Sequence, residues 1–250
     1  MKIALLGYGN MGQRIHALAE ENGYIVPIIL TDENNVNGNG IIPSEFEEID
    51  VAIDFSHPDV VAIHMQKLLE LGTPLVIGTT GWPIDPVALN ATCKEHHGQV
   101  IYGSNFSLGV QLFIKLIARA GELFGKGDFF DVVLNETHHT KKVDAPSGTA
   151  LTMADVWLKA SGSKKETVFQ LPNKHAIDTE NLLITSQRLG SVFGDHQLRI
   201  NSPYDEIELT HRARSRDAFA AGAIKAAEWL IEQKDGFYLI EDVIEEVMKA

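Results

Sequence analysis

Short apolar runs alternate with helix-spaced apolar stripes along the first hundred residues. Ile3–Leu6, Ile25–Leu30, Val51–Phe55, Pro74–Ile77 and Val100–Tyr102 carry the pattern of buried strands. Between them Met11, Ile15, Leu18 and Ala19 recur at helical spacing, and Gly23 ends that stripe. Val60–Leu71, approached through Pro58, and Val87–His97 repeat the helical pattern. Alternation of this kind predicts a doubly wound parallel sheet.

Past residue 108 the pattern changes. Gly109–Phe124 predicts a long amphipathic helix, and strand patterns then dominate at Phe129–Thr137, Leu182–Leu189, Val192–Ile200 and Glu206–His211, broken by one helix over Ala150–Ala160. Consecutive strands with short links predict a largely antiparallel sheet. A helix over Ala218–Gln233 and an amphipathic tail, Leu239–Met248, close the chain. The expected class is α/β: a Rossmann-type domain from residues 1–106 and 217–250, and an α+β sheet domain over 107–216.

Composition removes several function classes. The 250 residues are 44% hydrophobic and 22% charged, ordinary for a globular enzyme. No stretch of about eighteen apolar residues predicts a membrane span. The opening Lys2–Gly7 reads as a strand rather than an export signal. Cys93 is the sole cysteine, so no internal disulfide forms, and a reducing cytoplasm is the simplest setting. A net charge of −13 argues against nucleic acid. It also requires that any anion site be built locally, from a few cations and backbone amides.

One such site is legible near the start. Gly7-Tyr8-Gly9-Asn10-Met11-Gly12 follows a strand and opens a helix, as a dinucleotide-binding turn must. The first glycine permits the turn, the second lets backbone approach a pyrophosphate, and the third lets helix and strand pack. Asp32, twenty residues past Gly12, stands where an acid takes the ribose hydroxyls. No Lys or Arg lies between Arg14 and Lys67, so a 2′-phosphate finds no cation in this segment. NADH is therefore expected to serve at least as well as NADPH.

The densest run of reactive groups is Glu136 to Ala150, E-T-H-H-T-K-K-V-D-A-P-S-G-T-A. His138 and His139 are adjacent near a strand end and so face opposite ways; histidine suits proton transfer near neutrality. Lys142 adds a cation. Ser147, Gly148 and Thr149 open a helix whose free amides suit a carboxylate, although Ser and Thr before a helix also serve simply as caps. Zinc is not expected, because no third ligand stands at metal-like spacing and Cys93 is isolated. These residues alone leave open another Rossmann oxidoreductase acting on amino-acid-derived substrates, or a nicotinamide-sensing module, which would typically lack such proton donors.

The run E-x-H-H-x-x-K-x-D-A-P-S-G-T-A closely resembles the signature of the dihydrodipicolinate reductase family, also called 4-hydroxy-tetrahydrodipicolinate reductases, of lysine and diaminopimelate synthesis. Ile77–Gly81, Gly103–Ser107, Gly190–His196 and Ile207–Arg216 with Phe219–Ala223 extend the likeness over nearly the whole chain. The resemblance implies NADH or NADPH as cofactor, a small dicarboxylate as substrate, and a homotetramer assembled through the sheet domain. It implies His138 as proton donor or acceptor and Lys142 as second proton donor and substrate cation. His139 would contact the substrate, and Gly148 and Thr149 would bind its carboxylate. Gly7–Gly12, Gly78, Thr79, Thr80, Gly103, Ser104, Asn105 and Phe106 would hold the cofactor. The sequence departs from the family twice: its glycine turn is one residue shorter than in many members, and Thr140 stands where some have arginine.

Overall fold

The computed structural model describes residues 1–172 and 175–249. In chain order the elements are β1 (Lys2–Leu6), α1 (Asn10–Glu21), β2 (Ile25–Leu30), α2 (Pro43–Phe46), β3 (Val51–Asp54), α3 (Pro58–Leu71), β4 (Leu75–Ile77), α4 (Pro86–Glu95), β5 (Gln99–Tyr102), α5 (Leu108–Phe124), β6 (Asp131–His138), α6 (Gly148–Ala160), β7 (Glu166–Val168), β8 (Asn181–Arg188), β9 (Asp195–Asn201), β10 (Glu206–Arg212), α7 (Asp217–Leu230), β11 (Gly236–Leu239) and α8 (Ile240–Val247). They divide into two compact units, Met1–Leu108 with Arg216–Ala250, and Gly109–Ser215.

The first unit is a six-stranded sheet ordered β11-β5-β4-β3-β1-β2, parallel throughout. Its strands are apolar on both faces because helices cover both. Ile3 and Leu5 point into a core with Ile15, Ala19, Ala223 and Ala227, while Ala4 and Leu6 point into one with Val61, Leu68, Ile77 and Cys93. Small buried residues on α7, among them Ala220, Ala223 and Ala227, let it lie close, and Asp217 at its start pairs with Arg14 of α1. Strand order reverses between β1 and β3, which sit side by side with Leu6 opposite Asp54. Ligands of open parallel sheets bind at the carboxyl ends of strands at such a reversal. Strand β11 was not foreseen: four residues between a helix and an amphipathic tail leave little periodic signal, and the pairing of Gly236 through Leu239 along β5 is a tertiary event.

In the second unit the order is β10-β9-β6-β8-β7. Strand β9 runs antiparallel to β10 and β6, whereas β6, β8 and β7 run parallel. The sheet is thus mixed, which corrects the expectation of a largely antiparallel one. Short links predict antiparallel neighbours, but β6 lies between β8 and β9, and residues 189–194 cross over its end. Periodicity reports which face a residue takes, not which strand is its neighbour. One face of the sheet is buried, with Val132, Leu134, Ile184, Leu198 and Ile200 packed on Phe113, Ile117, Met153 and Trp157 of α5 and α6. Residues of the other face, including Val133, Asn135, Thr185 and Gln197, are half-buried. Among the described residues no helix is long and apolar enough to cross a membrane.

Candidate active site

The glycine turn follows β1 at the strand reversal. Gly7 takes φ of +91°, which side chains rarely adopt, and a β-carbon on it would lie 2.4 Å from the Phe55 carbonyl oxygen. At Gly12 a β-carbon would lie 2.1 Å from the Gly7 carbonyl oxygen, so helix and turn close only without one. Gly9, by contrast, faces open space. No side chain caps α1, leaving its N-terminus to an anion. Gly7, Tyr8, Gly9, Thr31, Asp32, Glu33, Phe55, Ser56 and His57 line a cavity of about 510 Å³.

The other sequence-predicted cofactor residues fall at the same edge of the sheet. Gly78, Thr79 and Thr80 follow β4, and Gly103, Ser104, Asn105 and Phe106 follow β5. Not all offer side chains. The Thr79 hydroxyl is buried and donates to Asp54 at 3.0 Å. Phe106 is buried in the core, so any ligand contact falls to its backbone. Met11 is half-buried and packs against the same core.

In the second unit, the end of β6 carries the cluster that the 136–150 run foreshadows. Alternation along the strand buries Glu136 and His138 on one face, and His139, just past the strand, is half-buried. Both Glu136 carboxylate oxygens accept the Ser147 backbone N–H at 3.1 Å. Glu136 also lies 3.4 Å from His138 Nδ1, 3.6 Å from Arg188 Nη1 and 3.8 Å from His196 Nε2. The rings of His138 and His196 meet edge to face at 5.2 Å. A β-carbon at Gly194 would come within 3.1 Å of His138 Nε2, so the crossing link reaches the imidazole only as glycine.

Ser147 fills the capping role. It is buried, its hydroxyl accepts the Ala150 N–H at 3.2 Å, and it caps α6. Gly148 is exposed with open space beside it, and Thr149 is half-buried. Lys142 pairs with Asp144 at 2.8 Å. Arg188 donates to the Lys142 and Asp144 carbonyls and so pins the loop that carries the lysine.

Charge states follow from these contacts. Burial alone would raise the Glu136 carboxyl, but hydrogen bonds from Ser147 and Ser186, with His138 nearby, hold it below the usual carboxylate range. Burial lowers His138; Lys142 and Arg188 push the same way, and Glu136 opposes them. His196 is lowered to about 4, chiefly by burial and then by His138. The Lys142 hydrogen bond keeps Asp144 ionised below its ordinary range.

Three of these residues went without a role in the sequence. Glu136 was within reach, since it stands two residues from His138 and so shares its strand face. Arg188 and His196 come from β8 and β9, and only the strand order brings them in. Their arrival also corrects the expectation about ligands: Glu136, His138 and His196 place ligand-capable atoms within 4.8 Å of one another. The carboxylate is already taken by Ser147 and faces Arg188, so the group forms a hydrogen-bonded acid–base cluster.

Two family models account for nearly the whole chain: "Dihydrodipicolinate reductase, N-terminus" over residues 1–106 and "Dihydrodipicolinate reductase, C-terminus" over 109–244. This chain belongs to the dihydrodipicolinate reductase family. It is 38% identical to the 4-hydroxy-tetrahydrodipicolinate reductase of Christiangramia forsetii, with all of both chains covered. It is 36% identical to that of Staphylococcus carnosus, covering 97% of this chain and 99% of the relative. The fold matches a dipicolinate-bound dihydrodipicolinate reductase from Paenisporosarcina at a TM-score of 0.77, with 22% identity over 97% of this chain and 98% of the other. Membership makes the protein a nicotinamide-dependent oxidoreductase of the lysine and diaminopimelate route.

Proposed function

We propose that the protein reduces 4-hydroxy-tetrahydrodipicolinate to tetrahydrodipicolinate, with a hydride from NADH and a proton passed by His138. The observation that carries this reading is His138 itself, fixed at a strand end among Glu136, His196 and the capped start of α6. Loss of water from the 4-hydroxy compound leaves a conjugated, imine-type ring that accepts the hydride. The electron pair displaced by the hydride then takes a proton. Histidine suits that transfer, and Lys142 stands as second donor and as the cation for a substrate carboxylate. The start of α6 at Gly148 and Thr149 takes a carboxylate as well, with His139 alongside. A dianion at this place offsets the charge of Lys142 and Arg188, and so raises the lowered pKa of His138 just when the histidine must hold a proton. The deciding assay is consumption of NADH on freshly made synthase product; a folded protein that leaves NADH untouched there defeats the proposal.

Preference for NADH belongs to the same reading. Asp32 and Glu33 line the cavity beside the glycine turn, and among the described residues no Lys or Arg lines it. The two flanking cations are engaged elsewhere, Arg14 with Asp217 and Lys67 with the Gly38 carbonyl at 2.8 Å. We expect kcat/KM with NADH to equal or exceed that with NADPH; a clear advantage for NADPH in the same assay contradicts this.

Lys142→Ala is expected to lower kcat/KM by about 10–100-fold, the worth of a charge-assisted bond of about 1.5–3 kcal/mol, with a raised KM for the dicarboxylate. Unchanged kinetics would take Lys142 out of the site. The half-buried face of the second unit's sheet supports assembly into a homotetramer, which light scattering measures directly. A reducing, cytoplasmic setting fits the buried Cys93, whose thiol burial pushes up to about 11.

A further inference from the structure

Asp54 ends β3 beneath the glycine turn and is wholly buried, with no lysine or arginine paired to it among the described residues. An isolated buried carboxylate is costly, so its hydrogen bonds bear scrutiny. Oδ1 accepts the Ser56 N–H at 2.8 Å, the Ser56 hydroxyl at 2.6 Å and the Thr79 hydroxyl at 3.0 Å. Oδ2 faces Nδ1 of His64, from α3, at 2.8 Å. His64 is equally buried, and its Nε2 meets Asn35 Nδ2 at 2.9 Å.

The proton positions follow from the far end. Asn35 Oδ1 accepts the Gly40 N–H at 2.9 Å, so the Asn35 amide turns its NH₂ toward the ring. Nε2 of His64 therefore accepts, and Nδ1 carries the hydrogen donated to Asp54. These bonds form one chain whose donors converge on Asp54: Thr79, in the loop after β4, donates from one side, and Gly40 donates to Asn35, in the loop after β2, which donates to His64 and so to Asp54 from the other. The first loop carries the expected cofactor residues Gly78, Thr79 and Thr80, and the second carries Asp32. Asp32, Asn35, Ser56 and His64 also line one cavity of about 360 Å³ beside Gly7. Apolar side chains of like volume would fill this interior without desolvating a carboxylate. What they could not do is fix two loops to one another at hydrogen-bond precision.

We infer that Asp54 and His64 are positioning residues for the cofactor, holding the loop after β4 and the loop after β2 at the spacing the dinucleotide spans. The inference rests on the cofactor reading above. Neither side chain touches the reacting atoms; they act through Thr79, Ser56 and Asn35. Loss of the chain should therefore appear in cofactor affinity and not in the chemical step.

The test uses His64→Asn, Asn35→Ala and the double variant, with NADH binding followed by fluorescence and steady-state kinetics on the dicarboxylate. Asparagine at 64 keeps a donor toward Asp54 and loses the reach to Asn35. Each single variant should raise Kd and KM for NADH by about five- to tenfold, while kcat at saturating NADH and KM for the dicarboxylate stay within about twofold. Because both remove the same bond, the double variant should bind NADH within about twofold of His64→Asn. Unchanged NADH affinity in folded variants overturns the inference, as do multiplying losses in the double variant or a parallel fall of kcat. Asn35→Ala, on the loop side, keeps the test open if His64→Asn does not fold. A wild-type protein that binds no NADH removes the cofactor reading and this inference together, whereas wild-type binding with unaltered variants removes only the inference.

Discussion

Replacing His138 with glutamine should lower kcat by about 10²–10⁴-fold, the contribution of a general acid–base group, with KM for the dicarboxylate held within about threefold. Glutamine keeps polar bulk beside Glu136 and under Gly194, but it exchanges no proton near neutrality. The variant thus separates the proton from the packing. Steady-state kinetics on synthase product decide it, with NADH binding as the control for an intact first unit. A kcat within threefold of wild type would remove His138 from the proton path. A steep rise of KM with kcat preserved would reassign it to substrate binding.

Acid should unfold the second unit from an unusually high pH. His196 has an ordinary pKa of 6.5 in the open chain and one of about 4 when folded, because burial excludes its charged form. Between those values the unfolded chain binds a proton that the folded one refuses. The stabilisation is complete above pH 6.5 and is lost as pH falls toward 4. By the free energy of each pKa unit this amounts to about 3 kcal/mol. His138 and His211 are shifted in the same direction, burial being the first cause in both. Glu136, held below its usual range, adds a loss of the same sign at lower pH still. Urea titrations between pH 7.5 and 4.5, followed by circular dichroism, measure the slope. His196→Phe fills similar space without a titrating group and should flatten it by about that amount. Parallel slopes in variant and wild type would defeat the burial account of His196.

The first unit was the more legible because each strand and helix there carries its own period, and the glycine turn is a local device. Gly7 and Gly12 leave no room for a β-carbon where turn, strand and helix meet, as their spacing suggests. Local pattern is also why β1 through β5 and the major helices around them fall near their expected bounds. What escaped notice is what tertiary pairing creates: β11 on the edge of β5, and the insertion of β8 between β6 and β7. In the site, the His138 segment stands out because its groups are neighbours in sequence. Arg188 and His196 are not, and no spacing rule links them to residue 138. Ser147 shows a different limit, since a capping serine and a ligand-binding serine read alike in sequence.

The first unit is made of two stretches of chain, and its second stretch comes last. Helix α7 supplies a large part of the core shared with β1 and α1, and β11 completes the sheet at β5. The second unit, by contrast, is continuous from Gly109 to Ser215. During synthesis the later unit therefore acquires all of its own chain first, reversing the usual order in which domains finish from the amino end. Residues 1–108 must wait, with part of their core uncovered, until about thirty more residues follow the second unit out of the ribosome. That interval, not the finished fold, is when the protein is most exposed to chaperones and to aggregation.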